Sequence, residues 1–360
     1  MEKTTVAVLF GGCSSEHEVS RISAASVIRN IPRGKYSIVS VGITKDGRWL
    51  LFGGSPEDIE SGAWEKDPGN RPALISPDRS VHGILAKTGE AWETIPVDVV
   101  FPVLHGKNGE DGTVQGLLQL AAIPFVGCST LSSAICMDKA VANSLMETAG
   151  IAQAHYLWFF SENYKTGAQK IKLKIGARLG YPVFIKPANA GSSVGISKVN
   201  SEEELDAAVE KAAHEDGKIL VEEAIEGQEV ECAVLGLSHP EASIPGEIAA
   251  SAEFYDYDDK YKNGTSRLSI PAHVPEGTAQ KIRETAARAY RLLGCSGLAR
   301  VDFFVRKSDG EVLLNELNTM PGFTGISMYP KLWEACGLAY PELMDRLIGL
   351  ALEKYGQKRA

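Results

Sequence analysis

Apolar positions along this chain fall into short continuous runs separated by helical stripes, the pattern of strands and helices packed in layers. Thr4–Phe10 (TTVAVLF) has the length and β-branched content of a buried strand. The loop GGCSSEHEVS follows, then an amphipathic helix to about Asn30 and a second strand over Tyr36–Ile43. A strand–helix–strand unit of this kind predicts a parallel sheet in the first domain. The stretch from Gly53 to Ser80 is rich in Gly, Pro, Ser and Asp and reads as an elaborated surface loop. Val97–Leu104 predicts a strand ending at HGKNGEDG, Gly112–Ala122 a helix, and Pro124–Val126 a short strand.

A helix over about Leu131–Thr148, stopped by Gly150, opens the second domain. Strands are predicted near Ala154–Phe160, Val183–Lys186 and Ile219–Glu222, with a turn at Ala190–Gly195. Ser201 and Glu204 have capping-box spacing and predict a helix running to about Ala213. Beyond lie strands at Val230–Leu237 and Ser243–Ala250, a charged aromatic loop, a helix over Gly277–Leu293, and a last helix begun at Pro341. The expected architecture is a parallel α/β domain over 1–127, followed by two α+β lobes over 128–222 and 223–360.

The segment ARVDFFVRKSDGEVLLNELNTMPGFTGIS (299–327) carries the most specific chemistry. It reads as a hairpin around Ser308-Asp309-Gly310. A three-residue loop with Gly310 in the left-handed position pairs Lys307 with Glu311. Asp302 then falls opposite Glu316, and Arg300 opposite Asn318, while Val301, Phe303 and Val305 point the other way. A two-residue Asp-Gly loop would slip the register by one and turn the polar set inward. Two carboxylates and an amide on one face suit Mg²⁺, with water and phosphate oxygens completing its shell. Arg300 beside them suits a phosphoryl group or an oxyanion. A solvated hairpin face bearing ordinary surface charge is the other reading of the same spacing.

At 360 residues and 38.7 kDa, with 44% hydrophobic and 23% charged residues, the chain has the composition of a soluble protein of two or three domains. A net charge of -9 argues against nucleic-acid binding and gives each lysine in a phosphate-like motif added weight. Six scattered cysteines without a C-x-x-C pair fit reduced thiols in the cytoplasm, and Cys13 has no paired base nearby in sequence. Met-Glu-Lys leading straight into a strand predicts no signal peptide, and no apolar run has membrane-spanning length.

Other segments gain meaning from position. FIKP followed by AGSSVG (190–195) sets Lys186 at a strand end before a small-residue loop through which backbone N–H groups can approach phosphate. It matches neither a Walker A loop nor G-x-G-x-x-G. Lys139 falls inside the predicted 131–148 helix. Glu222 ends a strand, and Glu229 follows shortly after. Glu16 lies in the loop between the first strand and helix, where free N–H groups face the space above the sheet. A Rossmann dinucleotide domain is the competing reading there, but the third glycine is missing. His105 stands at the carboxyl end of a strand, where open α/β sheets bind ligands. EFYDYDDKYK (253–262) reads as a mobile lid or as a plain exposed loop.

Taken in order over essentially the whole chain, GGCSSEHEVS, LHGKNGEDG, MDK, FIKPANAGSSVGISKV, VEEAIEGQEV, FYDYDDKY, ARVDFF and NELNTMPGFTGISMYP resemble the D-alanine–D-alanine ligases of the ATP-grasp superfamily. The resemblance implies an ATP site between the two later lobes. Lys139 and Lys186 would meet the phosphates, Glu222 and Glu229 the nucleoside, and Ser193 with Ser192 the triphosphate through loop closure. Asp302, Glu316 and Asn318 would hold two Mg²⁺ (or Mn²⁺). Glu16 would take the ammonium of the first D-alanine in a hydrogen-bonded set with Ser192 and Tyr261. His105 would lie by that substrate's carboxylate and Lys260 by the transferring phosphoryl group. Arg300 and the Gly322 N–H would serve an oxyanion, and Ser327 and Met328 the second D-alanine.

The implied activity is ATP-dependent synthesis of D-alanyl-D-alanine for peptidoglycan, through an acyl phosphate, by a cytoplasmic homodimer without nucleic-acid or membrane partners. Within the family, the Lys260-Tyr261 pair and Met328, where D-serine and D-lactate enzymes often carry arginine, lean toward D-alanine as acceptor. A D-Ala–D-Ser ligase or another carboxylate–amine ligase is the alternative, and a non-catalytic ATP-binding sensor a further one.

Overall fold

In a computed structural model, residues 3–191, 194–249 and 267–357 are described. Their strands form three sheets. The first has seven strands in the order Ala91–Pro96, Gly83–Thr88, Arg71–Ile75, Trp49–Phe52, Tyr36–Ile43, Thr4–Gly11, Val99–Pro102. Only the last three pair in parallel, Thr4–Gly11 lying between the other two. The remainder is an antiparallel extension. Pro124–Val126 contributes a single bridge, Val100 to Phe125, instead of a strand.

The stretch expected as a surface loop after Gly53 is ordered and partly interior. It holds a helix (Pro56–Ser61), a 3-10 turn (Ala63–Lys66) and a strand (Arg71–Ile75). Ser55 caps the helix with a full capping box, and Trp64 is 0% exposed. The Trp64 ring stacks edge-on to Phe10 at 4.8 Å and lies against Gly42, where a Cβ would come within 2.2 Å of it. Polar residues around one anchoring tryptophan hid this packing from a composition-based reading.

The second sheet, in the order Ser197–Val199, Val183–Pro187, Lys218–Glu223, Tyr156–Phe160, is antiparallel and encloses its own core. A long helix missed in the sequence, Ser161–Arg178, packs on it, as does Leu205–Glu215. The expected Ser201 capping box does not form. Glu202–Glu204 is a 3-10 turn, and the Glu204 carboxylate accepts from the Asn200 N–H (2.8 Å) instead.

The third sheet is built on Gly227–Gly236 and the hairpin Gly297–Arg306/Val312–Asn318, with Gly246–Ala249 and Arg267–Ser269 at one edge. Cys128–Ile151 shares a core with one face of this sheet. The single helix expected over 131–148 is two, Thr130–Met137 and Lys139–Thr148. Asp138 breaks it by capping the second helix, accepting from the Val141 N–H (3.1 Å), while the Lys139 N–H turns away to Ala188 O (3.0 Å). Another unexpected helix, Met328–Ala335, joins Tyr340–Gln357 in covering the far side of the sheet, where one cluster merges with the first-domain core.

The hairpin register corrects the turn argued from sequence. Arg306, not Lys307, faces Glu311: the Arg306 N–H donates to Glu311 O (2.9 Å) and Gly310 N–H to Arg306 O (2.8 Å). The loop is therefore one residue longer than expected, and Phe303 pairs with Leu314. A bulge at Asn315 then absorbs the slip, so that Asp302 faces Glu316 and Arg300 faces Asn318. The polar face arises by two compensating departures from a regular hairpin.

Trp64→Ala should lower unfolding free energy by about 3–5 kcal/mol, as full loss of a buried aromatic does. Glu57→Ala on the exposed helix beside it should cost under about 0.5 kcal/mol. Urea unfolding of the two variants checks this, and a near-neutral Trp64→Ala would refute the interior placement.

Candidate active site

The bulge at Asn315 leaves Arg300, Asp302, Glu316 and Asn318 on one face of the hairpin. Arg300 grips Asp302 with two parallel bonds, Nε to Oδ1 (2.8 Å) and a terminal nitrogen to Oδ2 (2.7 Å). Its Nε also lies 3.0 Å from a carboxylate oxygen of Glu231, on the neighbouring strand directly opposite Asp302. The Asn318 amide donates to Asp302 Oδ2 (2.9 Å). Glu316 is paired with Lys139 at 3.1 Å, and Lys139 also donates to Ala190 O (2.9 Å). Starting the second helix at Asp138 is what carries Lys139 to this position.

A cleft runs from these residues to the first domain, lined by Glu16, His105, Glu110, Gly191, Glu231, Arg300, Glu316, Asn318, Gly322, Ser327 and Met328. Glu16 is 6% exposed and begins the helix His17–Asn30. Its carboxylate is so close to the backbone of Gly106 and Gly191 that a Cβ at either would approach Oε2 to 2.4 or 2.7 Å. Ser14 ties the two loops of this domain together, its hydroxyl donating to His105 O (2.7 Å). His105 is buried and is bonded through Nδ1 to Met320 O and through Nε2 to Ser23 Oγ, each at 3.0 Å. Burial, with a smaller push from Arg300, lowers its pKa to about 4 despite the Met320 bond.

Gly322 stands where a side chain would strike the Ser327 hydroxyl (2.7 Å). That hydroxyl accepts from the Thr324 N–H (3.0 Å), and the helix beginning at Met328 points its first turn at the cleft. Met328 is buried, with its sulfur against Gly246. An adjoining recess is bordered by Lys139, Glu110, Gly191, Glu316 and Asn318. Lys186 pairs with Glu222, whose other oxygen accepts from Asn143 (3.1 Å). Burial alone would lower the Lys139 pKa, but Glu316, Glu222 and Glu110 together hold it above its ordinary value. Lys139 thereby feels carboxylates of both sheets.

Most residues singled out from sequence thus border one continuous region. Asp302, Lys186, Glu222 and Glu229 do not themselves line the cleft or its recess, and Glu229 lies on the same strand face as Glu231. Ser192, Ser193, Lys260 and Tyr261 lie outside the described residues. Three site residues escaped sequence reasoning. Glu231 flanks Arg300, and its only signal was a position two after Glu229. Ser23 belongs to a three-residue spacing of serines, Ser20, Ser23 and Ser26, on the first helix. Glu110 sits in the HGKNGEDG segment and accepts from the Gly106 N–H (2.7 Å). Burial and then the charge of Glu16 push its pKa to about 8, with Glu316 adding and the Gly106 bond and Arg300 opposing.

For a divalent cation, the donor set is two carboxylates and an amide. Among the described residues no cluster of three His, Cys, Asp or Glu side chains forms a ready cation cage. Asp302 and Glu316 fit a hard cation that takes its other ligands from water or a phosphate. In the present arrangement Arg300 and Lys139 hold their charges.

The mixed α/β fold, with its partly parallel first sheet and two further sheets, is of the ATP-grasp class shared by its solved structural relatives. Residues 5–128 match the family description "D-ala D-ala ligase N-terminus", and residues 145–349 match "D-ala D-ala ligase C-terminus". The D-alanine--D-alanine ligase of Acetivibrio thermocellus is 51% identical over 366 aligned positions, covering 98% of this chain and 97% of that protein. Among solved structures, the VanG D-Ala:D-Ser ligase from Enterococcus faecalis superposes with a TM-score of 0.88 at 45% identity, covering 97% of this chain and 100% of that one. The D-alanine-D-alanine ligase from Coxiella burnetii gives 0.84 at 35% identity, covering 100% and 97%. This chain belongs to the D-alanine–D-alanine ligase family.

Glu110 gives a test of the site's electrostatics in metal-free protein. The unfolded chain releases this proton near the ordinary value of 4.5, whereas the folded protein keeps it until about 8. The folded state therefore binds more protons between those values and loses stability as pH rises through them. Glu110→Gln should match the parent at pH 4.5 and be more stable at pH 8, by chemical denaturation across that range. A difference that does not change with pH would contradict the burial of a protonated carboxyl.

Proposed function

We propose that this chain joins two D-alanines to D-alanyl-D-alanine with cleavage of ATP to ADP and phosphate, supplying a peptidoglycan precursor in the cytoplasm. The observation that carries the reading is the shared face of Arg300, Asp302, Glu316 and Asn318, opening on one side to Glu16 and on the other to Gly322 and Ser327. In this reading segment 1–127 offers Glu16 and His105, 128–222 the phosphate-binding lysines, and 223–360 the hairpin and the acceptor side. Among the described residues no helix is long and apolar enough to cross a membrane. A homodimer is part of the proposal.

The chemistry asked of these residues is mostly placement and charge. A carboxylate is a poor electrophile, so the first D-alanine's carboxylate oxygen attacks the γ-phosphorus and ADP departs. Glu16 holds that substrate's ammonium, and His105, kept neutral by burial, borders its carboxylate. Lys139 and Lys186 meet the phosphates, with Ser192, Ser193 and Lys260 over the transferring group. Glu222 and Glu229 hold the nucleoside. Asp302, Glu316 and Asn318 would hold two Mg²⁺, which when bound neutralise charge on the phosphates. The neutral amine of the second D-alanine then attacks the acyl phosphate carbonyl. Arg300 and the Gly322 N–H receive the oxyanion, which collapses with loss of phosphate. Ser327 and the helix start at Met328 face the acceptor's carboxylate. Tyr261 joins Glu16 and Ser192 in coupling closure to the first substrate, and closure keeps water from the acyl phosphate.

A second reading, D-serine as acceptor, is favoured by the 45% identity to a D-Ala:D-Ser ligase. Against it stands Met328, an uncharged buried side chain at the acceptor end. Incubation with ATP, Mg²⁺ and a panel of D-amino acids, with products read by mass spectrometry, should give D-alanyl-D-alanine as the main product. A dominant D-Ala–D-Ser product would decide for the second reading, and ATP binding without amino-acid-dependent phosphate release would leave only a sensor. Asp302→Asn removes one charge from the hairpin and should cut turnover by roughly 10²–10³-fold, the scale of losing a charge-stabilising group. Undiminished dipeptide output from that variant would overturn the metal assignment.

A further inference from the structure

Helix His17–Asn30 carries three serines one turn apart, two of them buried, and the middle one links His105 of the first domain to a turn of the C-terminal part. Ser23 is 0% exposed. Its oxygen lies 3.0 Å from His105 Nε2 and accepts the Phe323 N–H at 3.2 Å. Proton positions along this path follow from one fact. The other ring nitrogen, Nδ1, faces Met320 O, and a carbonyl only accepts, so Nδ1 carries the hydrogen. A neutral His105 then has a bare Nε2, the Ser23 O–H donates to it, and a lone pair of Ser23 remains for Phe323. The bonds form one directed relay, from the Phe323 N–H through Ser23 and His105 to Met320 O. Both ends are on the same short turn, Met320-Pro321-Gly322-Phe323, so two side chains of the first domain staple it from outside. The opposite side is held too: Tyr340 donates to Phe323 O (2.8 Å), and Ser26 lies 3.1 Å from the Tyr340 hydroxyl.

We propose that Ser23 is a positioning residue for the ligase reaction: through His105 it fixes the Met320–Phe323 turn and thereby aims the Gly322 N–H. The inference rests on the reading of that N–H as an oxyanion donor. Ser23 touches no substrate in it. A donor misplaced by about 1 Å can cost roughly 10²-fold in rate, so the effect belongs in kcat and leaves ATP affinity alone.

The experiment has two arms. In the first, nitrogen-15 histidine spectra of the unmodified protein at pH 7, with the His105 signal identified by its loss in His105→Gln, report the tautomer. Hydrogen on Nδ1 is expected, and hydrogen on Nε2 would overturn the relay. In the second, Ser23→Ala should lower kcat by roughly 10- to 100-fold with KM for ATP within about twofold, and Ser23→Thr, which keeps the hydroxyl, should recover most of the loss. Ser243→Ala is the control. It also removes a fully buried hydroxyl with two backbone partners, the Ala233 N–H and Ile244 O, away from the cleft. It should lower the melting temperature without lowering kcat. Equal kcat losses in Ser23→Ala and Ser243→Ala, or parental kcat in Ser23→Ala, would reduce Ser23 to ordinary packing. Should Ser23→Ala not fold, the tautomer and the kcat of Ser23→Thr, expected near the parent's, still decide. Absence of ligase activity in the unmodified protein would instead count against the function itself.

Discussion

Four carboxylates, those of Glu16, Glu110, Glu231 and Glu316, line one cleft, with Asp302 bonded to its Arg300 and Asn318, and everything around it is arranged to make that concentration tolerable. Like charges this close raise one another's energy unless cations or protons intervene. Arg300 stands between Glu231 and Asp302, Lys139 against Glu316, Lys186 against Glu222 and Lys218 against Asp138. Glu110, with no salt-bridging cation among the described residues, keeps its proton to about pH 8. Most of this charge is thus paired or protonated before substrate arrives. In the proposed reaction, a polyphosphate entering with divalent cations would take over the lysines and arginine while the carboxylates would pass to the metal. Charge pairing is exchanged, and little net charge has to be buried. That is how an acidic chain with a net charge of -9 can serve anionic substrates.

The balance also depends on shape. Glycines at 106 and 191 let two loops close on the Glu16 carboxylate, which a Cβ at either position would have to displace, and Gly106 also has a positive φ. Helix His17–Asn30 starts at Glu16 and reaches the Gly322 turn through Ser23, so one rigid element spans the two ends of the proposed reaction path. Its apolar face is part of the cluster that includes Phe323, Tyr329 and Leu343 from the C-terminal lobe. First-domain and C-terminal packing are therefore one core on this side, while the middle sheet keeps a core of its own.

Much of this was legible in the chain. Runs such as TTVAVLF and YSIVSVGI showed the parallel strands because buried strands need continuous apolar side chains. The ordered motifs showed the family, since weak signals in fixed succession are jointly specific. What stayed hidden has physical causes. Residues 56–66 look polar because their packing rests on Trp64 and Ile59, two anchors among charged neighbours. Helix Ser161–Arg178 lies on the sheet surface, carries few apolar residues and is interrupted at Gly167, leaving little periodic stripe to detect. Glu110 and Glu231 owe their importance to neighbours distant in sequence, Glu16 and Arg300. A protonated carboxyl or an arginine flanked on both sides is a property of the assembled cleft.

The hairpin shows how a correct pairing can be reached from an incorrect turn. A three-residue loop with an unbroken ladder and a longer loop followed by the Asn315 bulge both set Asp302 against Glu316, because both leave the same length of chain between the two residues. The quantity under constraint is therefore that spacing, and the contour of the tip is free. Chains of this family could exchange one solution for the other by moving a single residue's worth of slack from the loop into the strand. The tip could then drift in evolution while Asp302 and Glu316 remained in step.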